Sequence, residues 1–258
     1  MLYLISLGLV DEKDLSLKAV EVAKKCDVLY VEFYTTKMET DAEKLSKLIG
    51  KKVVELRRAG LEEDSEKILK EAKVKDVAVL VGGDALSATT HLSLIQDAKK
   101  SGVKTKIIHG SSIFSAIGET GLHLYKFGAA TTLVYPEKNY KPTSCYDTIL
   151  KNKKMGLHTL ILLDIKSPKR METDEVGFNQ CMSVKEGLEI LLNIEKEKRK
   201  KLITENTFFV AASNIGSGKQ KIKYGKVKDL VKVVFGTPAV LVFPGELHFS
   251  EKEFLESL

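Results

Sequence analysis

Short apolar runs rich in β-branched residues alternate with amphipathic stretches along the first part of the chain. Residues 2–7, 28–33, 53–56, 77–81 and 104–108 have the length and composition of strands, while 15–25, 41–49, 65–73 and 87–100 place apolar residues at helical spacing. That alternation is the mark of successive β-α-β units, and strands so continuously apolar are expected to be buried on both faces of a parallel sheet. A first α/β domain is expected over residues 1–110. Beyond it the texture changes. A helical stretch at 112–117 is followed by strand patterns at 130–135, 159–164, 207–212, 222–225 and 239–243, with helical patterns at 144–153, 184–198 and 227–231. This predicts a second, mixed α/β domain over 111–258 and a cleft where the two meet. Residues 167–182 are polar and aperiodic, and are expected to form a surface excursion between a strand and the helix that follows.

The chain has 258 residues, 43% of them hydrophobic, enough to build cores without covalent staples. Cys26, Cys145 and Cys181 are odd in number and widely spaced, which argues against a disulfide framework or a structural zinc site and fits a reducing compartment. The apolar opening MLYLISLGLV lacks a basic leader and runs at once into Asp11, Glu12 and Asp14, so it reads as a buried strand rather than a signal peptide or membrane span. The net charge of +6 is mild. Its densest basic run, EKEKRKK at 195–201, falls where a helix should end, and cations there suit the negative end of the helix dipole better than they argue for a nucleic-acid contact.

Three turns combine glycine or serine with the end of a predicted strand. In LVGGDALSATTH (80–91) two glycines would let a ligand approach the backbone, and Asp84 would offer an acceptor at the carboxyl end of a strand. Asp84 or Ser87 could equally cap a helix starting there. In IHGSSIFSAIG (108–118) small side chains and free amides could hold a polar cofactor, or simply begin a helix at a domain connection. Ser6-Leu7-Gly8-Leu9 is an ordinary turn on its own. Together, each after a predicted strand, the three are more informative than any one alone.

Several familiar sites are excluded. Gly216-Ser217-Gly218-Lys219 has Ser213 where a phosphate loop needs its first glycine and Gln220 where it needs Ser or Thr, so it is read as a turn. No GxGxxG follows a strand, no GxSxG is present, and the five histidines lack metal-ligand spacing; no metal is expected.

The segments MLYLISLGLVDEKDLSLKAVEVAKKCD, VGGDALSATTH, HGSSIFSAIGETGLHLYKFG, GLHTLILLDIK and FPGELH run in order from residue 1 to about residue 250 and resemble the diphthine synthase family of tetrapyrrole-methylase-like methyltransferases. The resemblance implies two mixed α/β domains of the tetrapyrrole methylase type with S-adenosylmethionine in the interdomain cleft. It further implies a cytoplasmic homodimer, with no membrane and no direct nucleic-acid partner. The implied substrate is translation elongation factor 2, on a histidine carrying an aminocarboxypropyl group. Three transfers convert its amine to a trimethylammonium and release S-adenosylhomocysteine. Eukaryotic members are associated with a further methyl ester, and residues 167–182 resemble an insertion of those members. Motif position carries the cofactor contacts to Leu9, Asp84, Ser87, Ser112, Ile113, Leu163, Ile215 and Val240, with Ala239 competing for the last. No catalytic acid or base is implied. Tyr125, Asn139 and Tyr140, which lie in family-like stretches, are expected to pack rather than touch substrate. The chain departs from the common family pattern in having Ser6 for glycine in the first turn and Ala85 for proline in the second. Two rival readings are a methyltransferase acting on a small tetrapyrrole and a non-catalytic protein that binds the elongation factor or ribosome.

Overall fold

The computed structural model describes residues 1–62, 65–166 and 180–258, which divide into two compact units, Met1–Ala116 and Ile117–Leu258.

In the first unit β1 (Leu2–Ser6), β2 (Val28–Glu32), β3 (Val53–Glu55), β4 (Val77–Val81) and β5 (Thr105–Ile108) form one sheet, all neighbours parallel, in the order β3-β2-β4-β1-β5. Helices α1 (Leu17–Lys25), α2 (Ala42–Ile49), α3 (Arg58–Glu62), α4 (Glu66–Ala72), α5 (Leu92–Lys100) and α6 (Ile113–Ala116) connect or follow the strands. The period of two along β4 explains its unbroken apolar sequence. Val77, Val79 and Val81 enter one core with Ile68 and Leu69 of α4 and Leu94 and Ile95 of α5. Ala78 and Leu80 enter another with Ala19 and Ala23 of α1 and Leu45 and Ile49 of α2. A strand with a core on each face has no solvent side on which to place polar residues.

The helix expected from residue 87 begins instead at Leu92. Residues 85–91 are irregular, with Ala88 at φ +58°, and His91 stands at the N-cap without a side-chain capping bond. The capping alternative for Asp84 and Ser87 is thereby removed: neither adjoins the start of a helix. The sequence reading also missed α3.

The second unit holds β6 (Thr131–Leu133), β7 (Thr159–Leu163), the short pair β8 (Ile165–Lys166) and β9 (Gln180–Cys181), β10 (Phe208–Ser213), β11 (Lys221–Lys226) and β12 (Ala239–Phe243). Its main sheet is mixed, in the order β11-β10-β12-β7-β6, with β6 and β7 parallel and the other neighbours antiparallel. Helices α7 (Ser144–Lys154), α8 (Val184–Lys198), α9 (Val227–Leu230) and α10 (Phe249–Glu256) complete it. Tyr146, Leu188 and Leu191 pack on Ile161, Phe209 and Leu241 in a single core. Most of the expected excursion, residues 167–179, lies outside the described residues; its end contributes β9, which pairs with β8. The basic run behaves as its position suggested: Lys198, in the last turn of α8, pairs with Asp147 at 3.0 Å.

Helix α10 was not foreseen. It carries Glu251, a buried carboxylate that accepts from the amides of His123 (2.8 Å) and His248 (2.7 Å), from Lys126 Nζ and from His158 Nε2 (3.0 Å). Burial opposes the ion, but Lys126, the two amides and His158 together hold Glu251 down to about 2. The Gly245 amide donates to His158 Nδ1 at 2.8 Å, so His158 is the neutral tautomer with its proton on Nε2. Tyr125, Asn139 and Tyr140 do not pack as expected. Tyr125 is 83% exposed and stacks against His123, and Asn139 and Tyr140 are also on the surface.

Candidate functional site

The three turns singled out in the sequence leave the carboxyl ends of β1, β4 and β5, and those strands are neighbours. The chain departs from β1 toward β2 and from β4 toward β5, in opposite directions across the sheet. Open α/β sheets bind ligands at such a reversal. The first two turns are joined directly. The Gly8 amide donates to the Gly83 carbonyl at 3.2 Å and the Gly83 amide to the Gly8 carbonyl at 2.8 Å. Gly8 sits at φ +89°, and a Cβ there would lie 2.4 Å from that of Asp14, so the position requires glycine. Asp14 in turn accepts from the amides of Leu9 (3.1 Å) and Val10 (2.7 Å), fixing the loop that carries Leu9. The third turn approaches as closely: a Cβ on Gly110 would stand 2.8 Å from Ser6 Cβ.

Asp84 ties all three together. It is 8% exposed. Its Oδ1 accepts from the Leu86 amide (3.0 Å) and the Ser87 hydroxyl (3.3 Å). Its Oδ2 faces His109 Nδ1 (2.8 Å), the Gly110 amide (3.3 Å) and the Ser6 hydroxyl (3.5 Å). Burial alone would raise its pKa, but the Leu86 amide, the His109 ring and the Gly110 amide outweigh that and hold it below the usual carboxylate range. A carboxylate has about four lone-pair positions, so these five donors occupy it fully. Asp84 therefore shapes the site as much as it could serve it. Ser112 is buried, follows Gly110 by two residues and precedes Ile113 at the start of α6. Its Cβ is 3.9 Å from where a Cβ on Gly83 would be. Asp84, Ser87, Ser112 and Ile113 thus lie on turns of one sheet edge, with Leu9 on the adjoining loop.

Two contributors escaped the sequence reading. Ser6 accepts from the Ala85 amide at 2.9 Å while donating to Asp84. The two departures from the family pattern are therefore bonded to each other: a proline at 85 would have no amide to give, and a glycine at 6 no hydroxyl to receive it. His109, passed over as one of several scattered histidines, is paired with Asp84 and yet has a side chain 69% exposed. Neither pairing has a local sequence signal, because the partners are 79 and 25 residues apart.

In the second unit Leu163 ends β7, Val240 lies near the start of β12, and Ile215 follows the end of β10 after Asn214 at φ +50°. Antiparallel pairing brings these ends to one edge of the sheet, where Ser213 is opposite Ala239 and Val240 opposite Leu162. Strand alternation separates them by face. Leu163 and Ala239 turn toward the core, whereas Val240 points to the other side. The Gly216 turn is confirmed as a turn: the Gln220 side chain accepts from the Gly216 amide at 2.7 Å, and a strand rather than a helix follows. Among the described residues, no group of three or more His, Cys, Asp or Glu is placed to hold a metal, and no helix is long and apolar enough to cross a membrane.

A family model for tetrapyrrole (corrin/porphyrin) methylases matches residues 1–231. The diphthine synthase of Methanocaldococcus jannaschii is 45% identical over 260 residues, covering 100% of this chain and 98% of that one. The chain belongs to the diphthine synthase family. The Methanococcus aeolicus member is 44% identical over the same coverage. Among solved structures, the Entamoeba histolytica protein assigned to the diphthine synthase family superposes with a TM-score of 0.90 at 37% identity, covering 100% of this chain and 97% of that one. A further diphthine synthase crystal structure gives 0.85 at 35%, covering 99% and 94%. Membership makes the protein a methyltransferase of the tetrapyrrole methylase fold, with one parallel and one mixed sheet.

Proposed function

We propose that the protein transfers methyl groups from S-adenosylmethionine to the aminocarboxypropyl-modified histidine of translation elongation factor 2, acting in the cytoplasm as a homodimer. The observation that carries the reading is the meeting of three glycine- and serine-bearing turns around Asp84 in a chain 45% identical to a diphthine synthase over its whole length. The donor set suits such a cofactor. Ser87 and Ser112 offer hydroxyls to its amino acid and ribose, Asp84 fixes the turns from which they project, and Leu9 and Ile113 supply apolar contact. Leu163, Ile215 and Val240, or Ala239 in place of Val240, are proposed as the contacts in the second unit, Leu163 and Ala239 through their backbone because their side chains turn into the core. When bound, the cofactor supplies a methyl made electrophilic by a sulfonium. The protein's own task is mostly orientation, since holding amine and methyl in a near-attack geometry can lower a barrier by on the order of 7 kcal/mol.

The test is mass spectrometry of elongation factor 2 bearing the aminocarboxypropyl histidine, before and after incubation with the protein and S-adenosylmethionine. A gain of three or four methyl groups on that residue is expected. A fourth, on the carboxylate, is the reading favoured by residues 167–182 and their likeness to an insertion of eukaryotic members. Methylation of a tetrapyrrole precursor instead would move the substrate to a small molecule. Binding of the factor without cofactor consumption would make the protein non-catalytic.

A further inference from the structure

We propose that His109 is the proton acceptor for the substrate amine, held in its accepting tautomer by Asp84. The inference rests on the amine-methylation reading above. Its ground is the dyad itself: Nδ1 of His109 lies 2.8 Å from Asp84 Oδ2, while the rest of the ring is open to solvent. Asp84 is buried, ionised and able only to accept, so the proton of the neutral ring is on Nδ1 and the Nε2 lone pair points away from the carboxylate. A buried carboxylate that orients an imidazole and then stabilises the imidazolium is a recurrent way to make histidine an effective base. Among the described residues, Asp84 is the charged group bonded to this ring, and the Ser6 and Ser87 hydroxyls and the Leu86 and Gly110 amides complete its shell.

The other histidines are less suited. His158 has both nitrogens engaged, with Glu251 and the Gly245 amide, and His91 is buried. His123 and His248 belong to the second unit and bond to Tyr125 and Ser250. His109 alone stands on the same turn as Ser112 and Ile113.

The need for a base follows from the chemistry. An ammonium has no lone pair, so each N-methylation must be preceded by loss of one proton. That proton passes to Nε2 and then to solvent. The freed lone pair forms the new N–C bond as the C–S bond breaks, and the electrons of that bond remain on sulfur. Three transfers starting from the primary ammonium release three protons in all.

The discriminating variant is His109→Asn. The asparagine side-chain amide can still donate to Asp84 from about the position of Nδ1 but cannot take up a proton. Isothermal titration should give a Kd for S-adenosylmethionine within about 3-fold of wild type, showing the turn intact. Single-turnover methylation should fall by roughly 100-fold or more, as for loss of a general base. Added imidazole should partly restore His109→Ala, because the vacated position is exposed. In the unliganded wild type at pH 8, 15N NMR should find the ring proton on Nδ1. The proposal is overturned if His109→Asn turns over within about 3-fold of wild type. It is equally overturned if rate and cofactor affinity fall in parallel, which would make the dyad scaffolding only. Wild-type turnover is measured first: cofactor binding without transfer to the modified histidine would refute the substrate reading, and the base assignment with it.

Discussion

The bond between Ser6 and the Ala85 amide predicts a measurable coupling between two positions at which this chain departs from its family's common pattern. Both residues are buried. In Ser6→Gly the Ala85 N–H is left without its acceptor, at a cost of about 1–3 kcal/mol for an unsatisfied buried donor. Glycine in a strand adds about 0.5–1 kcal/mol. Ala85→Pro removes the donor instead. It loses about 1 kcal/mol of net hydrogen bonding, offset by about 0.4–1 kcal/mol from the restricted unfolded chain. In the double variant both polar groups are gone, the proline gain roughly balances the glycine cost, and stability should return close to wild type. The coupling, the unsatisfied-donor cost plus the lost bond, is then on the order of 2–4 kcal/mol. For a chain of this size Tm moves by about 2–4 °C per kcal/mol, so Ser6→Gly should melt several degrees low and the double variant should recover most of that. Circular dichroism during thermal and urea unfolding is the assay, since the chain has no tryptophan to report by fluorescence. If the double variant loses the sum of the single losses within about 0.5 kcal/mol, the two positions are independent and the argument fails.

Asp84→Ala strips the acceptor from the Leu86 and Gly110 amides and from His109. Calorimetry should show S-adenosylmethionine binding weakened by about 10-fold or more, near 1.4 kcal/mol; unchanged affinity would remove Asp84 from the site. Gly110→Ala puts a Cβ 2.8 Å from that of Ser6, forcing strand ends apart. A loss of about 1–3 kcal/mol and weaker cofactor binding are expected, and an unaltered melting point and Kd would show that the turns need not meet so closely. Glu251→Gln should destabilise the second unit by about 3–5 kcal/mol because Lys126 is left without its counter-charge, with hydrogen exchange in β7 and β12 as the readout. The pH dependence has a definite sign. Glu251, held at about 2 against an ordinary 4.5, stabilises fully above about pH 4.5 and loses that contribution as pH falls toward 2. Burial, outweighing the Glu251 bond, depresses His158 below its ordinary 6.5, so the unfolded chain protonates first and stability begins to fall as pH drops below 6.5. Flat wild-type stability between pH 7 and 4 would contradict the neutral His158.

The features legible in the sequence are those with a local signal. The unbroken apolar run VAVLV at 77–81, flanked by amphipathic helices, was enough to anticipate a doubly buried strand. The three turns stood out because glycine and serine cluster at strand ends. The helix expected from residue 87 failed because SATT has no helix-breaking residue, yet the bonds from Asp84 to Leu86 and Ser87 curl the chain before a helix can begin. Helix α10 left a faint trace in the His248 and Glu251 capping pair, obscured because histidine is an unusual capping residue. Glu251 with His158, Asp84 with His109 and Ser6 with Ala85 were invisible for a different reason. Each joins chain segments whose adjacency is decided by strand order, and strand order is a product of the whole fold.

The placement of β12 bears on how the protein can be cut. The tetrapyrrole methylase match stops at residue 231, yet β12 begins at Ala239 and lies between β10 and β7, in the interior of the second sheet. A fragment trimmed to the matched region would leave unpaired edges on both sides of the gap and would also discard Glu251, exposing surfaces prone to join with other chains. Expression libraries, fusion junctions and split-protein designs drawn at that limit would therefore yield an aggregation-prone fragment rather than a shorter enzyme.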